Sequence, residues 1–284
     1  MKDILEEILE NKRAELVREK AALPPARLYA QVERQIESEL EQQTNTRIDN
    51  HGLASSALKH RSMRRSLHGS ATGIIAEFKR KSPSKGWIKE DGRADIIPAA
   101  YAEAGAAALS ILTDADYFGG SPDFIRTARP MVSVPILRKE FIIDEYQLYQ
   151  ARLIGADAVL LIAAALTIGE YAALARKARE LGLEVLLEVH GERELDYPAA
   201  EEPDMLGVNN RNLGTFHTDV ENSFRIASLL PSGPLLVSES GISRPETVRQ
   251  LRQAGLRGFL MGEAFMRQPD PGAALRAFIQ KLEP

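Results

Sequence analysis

Short, unbroken apolar runs recur from residue 73 onward, each followed by a polar or Gly-containing loop and then a stretch with helical spacing. The runs cover 73–78, 107–112, 134–138, 157–162, 183–189, 205–209, 235–238 and 257–261. Their centres lie roughly 21 to 34 residues apart, the span of one βα unit. Continuous runs, unlike alternating ones, suit strands covered on both faces, as in a parallel sheet. The helical stretches carry their own punctuation. The stretch over 168–181 ends at Gly182 and that over 243–254 at Gly255, each in the position just past a helix end where positive φ is easiest. Ser243 is expected to cap its helix, with Pro245 in the first turn.

Eight strand-like runs predict an α/β chain folded as a closed (β/α)8 TIM barrel, a fold of about 250 residues. A doubly wound sheet has fewer strands and a G-x-G-x-x-G fingerprint after the first, and that fingerprint is absent. The barrel is expected over 71–284 and an N-terminal helical extension over 1–70, packed on the barrel or its rim. In the extension Ile4, Leu5, Ile8, Leu9, Leu16 and Val17 form an apolar stripe. Pro24 and Pro25 end that helix, and a second, polar helix is expected over 26–42. The stretch over 44–70 is polar and basic, and the extension as a whole holds too little apolar content for a core of its own.

Composition narrows the chemistry. The chain has 284 residues, 36 basic against 40 acidic, for a net charge of −4, which argues against general nucleic-acid binding. It has no Cys, which removes disulfides, thiolate metal sites and a cysteine nucleophile. The five His residues (His51, His60, His68, His190 and His217) show no metal-ligand spacing and are read as structural or solvated, so no metal is expected. The N-terminus alternates charged and apolar residues, unlike a signal peptide, and no apolar run approaches the roughly 20 residues of a membrane span. A soluble, cytoplasmic protein is expected, without membrane or nucleic-acid partners.

In such barrels the active site lies at the carboxyl ends of the strands. There the chain places Glu77 and Lys79, then Lys139, Glu188, Asn209, Glu239 and Glu263. Alternation puts Glu77 with Lys79, Leu137 with Lys139, and Leu186 with Glu188 on common faces. Inward charges at a barrel mouth are costly unless paired or functional. The basic residues Lys59, Arg61, Arg64 and Arg65 read instead as a solvated face. Ser240 and Gly241 after the seventh strand, with Gly262 and Glu263 after the eighth, sit where barrels commonly bind phosphate, where small residues let backbone N–H groups approach an anion.

These residues lie in motifs that resemble the indole-3-glycerol-phosphate synthase family: IAEFKRKSPS over 75–84, SILTDADYFGGS over 110–121, PILRKEFIID over 135–144, LLEV over 186–189, GVNNRNL over 207–213 and SESGI over 238–242. The resemblance spans the barrel in order; Glu140 stands where the family more often has Asp. It implies ring closure of 1-(2-carboxyphenylamino)-1-deoxyribulose 5-phosphate with loss of CO2 and water, a step of tryptophan biosynthesis that needs no cofactor. By the same resemblance Lys139 donates a proton to the ketone oxygen, its pKa held in a useful range by clustered cations. Lys79 and Glu188 are the candidates for dehydration, and the division of acid roles between the two lysines stays open. Glu77 would orient the lysines, Asn209 and Glu239 would meet the substrate hydroxyls, and Ser82 and Arg211 the anthranilate side. Phe141 and Leu160 would pack its ring, Ser240, Gly241, Gly262 and Glu263 would hold the phosphate, Glu263 through its backbone N–H alone. A monomer or weak homo-oligomer is expected. The related phosphoribosylanthranilate isomerases use a cysteine base, which this chain lacks. A catalytically silent barrel that binds a phosphorylated metabolite is the remaining alternative, and it predicts loss of the strand-end charges.

Overall fold

The computed structural model describes residues 4–49, 61–212, 214–230 and 233–282, with side chains described for all of these except 43–49. The expectations for His51, Lys59 and His60 lie outside the described residues. Among the described residues three helices come first: α1 (Ile4–Ala22), α2 (Pro25–Asp49) and α3 (Met63–Gly69). The barrel strands are β1 (Ile74–Phe78), β2 (Ala108–Leu112), β3 (Ile136–Lys139), β4 (Ala158–Ile162), β5 (Glu184–Val189), β6 (Met205–Asn209), β7 (Leu235–Glu239) and β8 (Gly258–Met261). All pair in parallel with their neighbours in chain order, and β1 pairs with β8 to close the ring. Between and after them run α4 (Ile97–Glu103), α5 (Pro122–Ala128), α6 (Glu145–Ile154), α7 (Ile168–Glu180), α8 (Tyr197–Ala200), α9 (Glu221–Leu229), α10 (Pro245–Gln253), α11 (Glu263–Met266) and α12 (Pro271–Gln280). No helix among the described residues is long and apolar enough to cross a membrane.

Alternation along the strands sorts two cores. Ile74, Ala76, Phe78, Leu109, Ile111, Ile136, Val159, Leu161, Val185 and Leu187 point outward and pack under the helices. Ile75, Ala108, Leu137, Leu160, Leu186, Val237 and Leu260 point inward and fill the barrel. The inward set needs a floor, and α3 supplies it. Met63 and Leu67 are fully buried against these residues. The helix is anchored by the backbone N–H of Arg64 to Glu184 (2.9 Å) and the Ser66 hydroxyl to the Ala107 carbonyl (2.6 Å). Arg64, Arg65 and His68 face solvent at this end, away from the strand carboxyl ends. Leu67→Ala is expected to destabilise the protein by about 2–5 kcal/mol, since the rigid barrel cannot collapse into the gap. Urea unfolding checks this.

Two helix boundaries differ from expectation. The second helix continues to Asp49, because no Gly or Pro interrupts residues 43–49. Ser243 does not cap α10; Arg244 occupies that position without a side-chain cap. Pro245 pushes the residue before it into extended backbone, which sets the start of the helix at Arg244 and leaves Ser243 one residue too early.

Candidate active site

The inward faces of β1, β3, β5, β6 and β7 end in polar groups, while those of β2, β4 and β8 end in Leu112, Ile162 and Leu260. Lys139 closes β3, Glu188 stands one residue before the end of β5, and Asn209 and Glu239 close β6 and β7 as register partners. The Lys139 ammonium lies 2.9 Å from Glu188 and 3.5 Å from Glu239. The Asn209 amide donates to the other Glu188 oxygen at 3.1 Å. Glu77 on β1 pairs with Lys79 just beyond that strand. All six line one cavity of ≈ 180 Å³ at the barrel mouth.

The register makes this packing possible only with glycine at two places. Gly207 faces Glu188 across the β5–β6 pair, and a Cβ there would stand 2.2 Å from a Glu239 carboxylate oxygen. A Cβ on Gly262 would stand 2.7 Å from a Glu77 oxygen. Gly207→Ala is therefore expected to leave the chain folded and displace Glu239. A displacement of about 1 Å among reacting groups costs on the order of a hundredfold in kcat. Steady-state kinetics beside a circular dichroism spectrum checks it.

Burial and charge set the protonation states. Burial disfavours the Lys139 ammonium, but Glu188, Glu239 and Glu77 outweigh it and hold the pKa above its ordinary value. This corrects the expectation that clustered cations depress it: carboxylates surround Lys139, and Lys79 is paired with Glu77. Burial also works against the Glu188 carboxylate, yet Lys139 and then His190 keep it well below the usual range. Glu239 goes the other way. Burial pushes it up to about 8; Lys139 opposes this, and Glu188 and Glu77 reinforce it. Two neighbouring carboxyl groups are thus driven apart, one ionised and one largely protonated at neutral pH, an arrangement suited to acid and base work.

One wall of the cavity is apolar. Phe141 after β3 and Phe118 after β2 lie 5.9 Å apart with rings tilted by 39°. Leu160 forms the floor, while Ile4, Leu5 and Ile8 of α1 close over the mouth. Beside this wall Ser82 is buried, and Arg211 donates to the Ser84 hydroxyl at 2.6 Å, leaving a guanidinium at the apolar side suited to a carboxylate. The opposite wall holds Ser240, Gly241, Gly262 and Glu263. Ser240 and Gly241 both have positive φ (68° and 77°), and the Ser240 hydroxyl donates to Asn209 at 2.9 Å. The Glu263 carboxylate turns to Arg267 at 2.7 Å. Among the described residues no group of three or more His, Asp and Glu side chains is placed to hold a metal ion.

Several contributors were not visible in the sequence. Phe118 and Phe216 line the cavity. Lys12 of α1 is almost fully buried, with its ammonium 3.1 Å from Asp114 and 3.0 Å from Glu140. That triangle ties α1 to the loops after β2 and β3, and Glu140 also accepts from Thr113 at 2.7 Å. A helix packed on the rim is thereby part of the cavity. His190, read as structural or solvated, lies 3.3 Å from Glu188; His68 and His217 are exposed.

Known proteins place this geometry. The fold resembles 3-hexulose-6-phosphate synthase from Salmonella typhimurium, with a TM-score of 0.58 at 15% identity over 74% of this chain and 98% of that one. It also resembles KGPDC from Streptococcus mutans, with a TM-score of 0.56 at 12% identity over 74% of this chain and 96% of that one. These likenesses speak to the barrel alone. Sequence goes further. The chain is 56% identical to the indole-3-glycerol phosphate synthase of Bacteroides thetaiotaomicron over the full length of both chains. It is 42% identical to that of Laribacter hongkongensis over 97% of this chain and 98% of the relative. The sequence model for indole-3-glycerol phosphate synthase matches residues 5–278, taking in α1 as well as the barrel. From the helix over the mouth to the last barrel unit, the chain belongs to the indole-3-glycerol phosphate synthase family.

Proposed function

We propose that this chain is a carboxy-lyase that converts 1-(2-carboxyphenylamino)-1-deoxyribulose 5-phosphate to indole-3-glycerol phosphate, CO2 and water, with the chemistry carried by the strand-end cluster. The observation that carries the reading is the Lys139 ammonium held between Glu188 and Glu239 at the mouth of a cavity with one apolar and one glycine-rich wall. The substrate has the same polarity. Its anthranilate ring fits against Phe118, Phe141, Leu160 and α1, its carboxylate toward Arg211 and Ser82, and its phosphate toward the backbone N–H groups around Ser240, Gly241, Gly262 and Glu263.

Ring closure requires the aryl carbon bearing the carboxylate to attack the ketone, whose oxygen must gain a proton as its π bond breaks. Lys139, kept charged by its carboxylate neighbours, is the donor. Loss of CO2 returns the electron pair to the ring and restores aromaticity. Dehydration then removes the new hydroxyl as water, with a proton from Lys79 or Lys139, while a base takes a proton from the methylene carbon beside the ring nitrogen. Glu188, kept ionised, is that base. Glu77 holds Lys79, and Asn209 orients Glu188. No step calls for a cofactor.

A barrel that only bound a phosphorylated metabolite would have no use for three buried carboxyl groups around one lysine. Incubating the purified protein with the substrate, with EDTA present, and following indole absorbance and fluorescence tests the proposal. Steady product formation is expected; binding without turnover would turn the reading to the silent barrel.

A further inference from the structure

The proposed reaction makes a demand on Glu188 that Lys139 cannot meet throughout. Lys139 is the main counter-ion of Glu188 in the resting site, at 2.9 Å. Once Lys139 has passed its proton to the ketone oxygen it is a neutral amine. Glu188 is then a buried carboxylate with Glu239 and Glu77 as its acidic neighbours and Lys79 already engaged with Glu77. Such a group recaptures a proton, and a protonated Glu188 is no base for dehydration.

A second cation stands on the other side. His190, in the loop leaving β5, places Nε2 3.3 Å from Glu188 Oε1, the oxygen turned away from Lys139. Its Nδ1 lies 3.7 Å from the Glu194 carboxylate. The ring is only 15% exposed, and neither nitrogen has a well-aligned hydrogen bond, so the contact is one of charge more than of directional bonding. The backbone fixes the ring in place: the His190 N–H donates to Glu194, and its carbonyl accepts from Asn222 at 3.1 Å. Burial alone would drive the imidazole neutral; the carboxylates of Glu188 and Glu194 outweigh it and raise the pKa to about 10. The groups that bear on Glu188 are therefore Lys139 from β3, Asn209 from β6, Glu239 from β7, Glu77 with Lys79 from the β1 end, and His190 with Glu194 from its own loop.

We propose that His190 is a positioning residue, a second and permanent counter-ion that keeps Glu188 ionised and aimed after Lys139 has spent its proton. This rests on the reading of Glu188 as the dehydration base and of Lys79 as the acid of that step, with Lys139 still neutral. His190 itself touches no substrate atom in this role and passes no proton.

The test compares wild type, His190→Gln and Glu188→Gln for dehydration rate across pH. Gln keeps a polar side chain and removes the charge. Losing one of two cations raises the pKa of Glu188, so the acid limb of kcat moves to higher pH, by about one unit for an opposite charge at this distance. His190→Gln is expected to dehydrate about tenfold more slowly on that limb and to recover at higher pH, with KM within about twofold. An unchanged acid limb, or a loss equal at every pH, overturns the proposal. Where His190→Gln does not fold, nitrogen NMR of the histidine rings in the wild-type protein decides. A ring protonated on both nitrogens at pH 8 supports the proposal, and a neutral one overturns it. Impaired dehydration in Glu188→Gln beside a normal His190→Gln would reject this inference alone; normal dehydration in Glu188→Gln would remove the base assignment beneath it.

Discussion

Replacing Lys139 with Met should abolish measurable ring closure while leaving substrate binding largely intact. Met keeps an unbranched apolar stem, with a side chain one atom shorter than that of Lys, but has no proton to give. General acid catalysis contributes about 10²–10⁴-fold, and kcat should fall by at least that factor because no other charged donor shares this position. Lys79 is the nearest alternative, and it is held in its own ion pair with Glu77 at the end of β1. Binding is expected to survive because the anthranilate wall and the glycine-rich wall do not include the ammonium. The loss should not be recovered at any pH, since an ionisation present in the wild type is absent altogether. A titration with substrate monitored by quenching of protein fluorescence, beside a turnover assay, separates the two effects. Turnover within a few-fold of wild type would remove Lys139 from the acid role.

Glu188→Gln should fail later in the reaction. The amide fills the same space, still meets Asn209, and leaves Lys139 charged beside Glu239. Ring closure and loss of CO2 can then proceed, while removal of the methylene proton lacks its base. The ring-closed, decarboxylated alcohol is expected to accumulate and be detected by mass as product plus one water. Indole formation should slow by about 10²–10⁴-fold, the usual contribution of a positioned base. An unchanged rate of indole formation would reject the assignment of Glu188.

The difference between what was readable in advance and what was not follows from where the information lies. Each barrel strand is a continuous apolar run because both its faces are covered, and such runs, most of them preceded by glycine, locate β1 to β8 to within two residues. The charges of Lys79, Lys139, Glu188 and Glu239 stood out because they interrupt those runs at one end. The floor of the barrel did not stand out: Met63 and Leu67 are two apolar residues inside a basic stretch, and only the shape of the inner core gives them a place. Lys12 sits in a helix crowded with charge, where a lysine reads as solvated; its burial depends on Asp114 and Glu140, far along the chain. His190 was missed for the same reason, as a lone histidine after a strand gives no sign of the carboxylates on either side of it. The protonation of Lys139 was misjudged because the basic residues are adjacent in sequence, whereas in space its neighbours come from β5, β7 and β1 and are acidic.

The division of labour between an acid at Lys139 and a base at Glu188 is tested most directly by timing CO2 release and indole formation separately in single turnovers of the wild type and the two variants. The expected result is CO2 and indole from the wild type, neither from Lys139→Met, and a full equivalent of CO2 without indole from Glu188→Gln. Simultaneous loss of CO2 and indole in Glu188→Gln, or CO2 release from Lys139→Met, would contradict it.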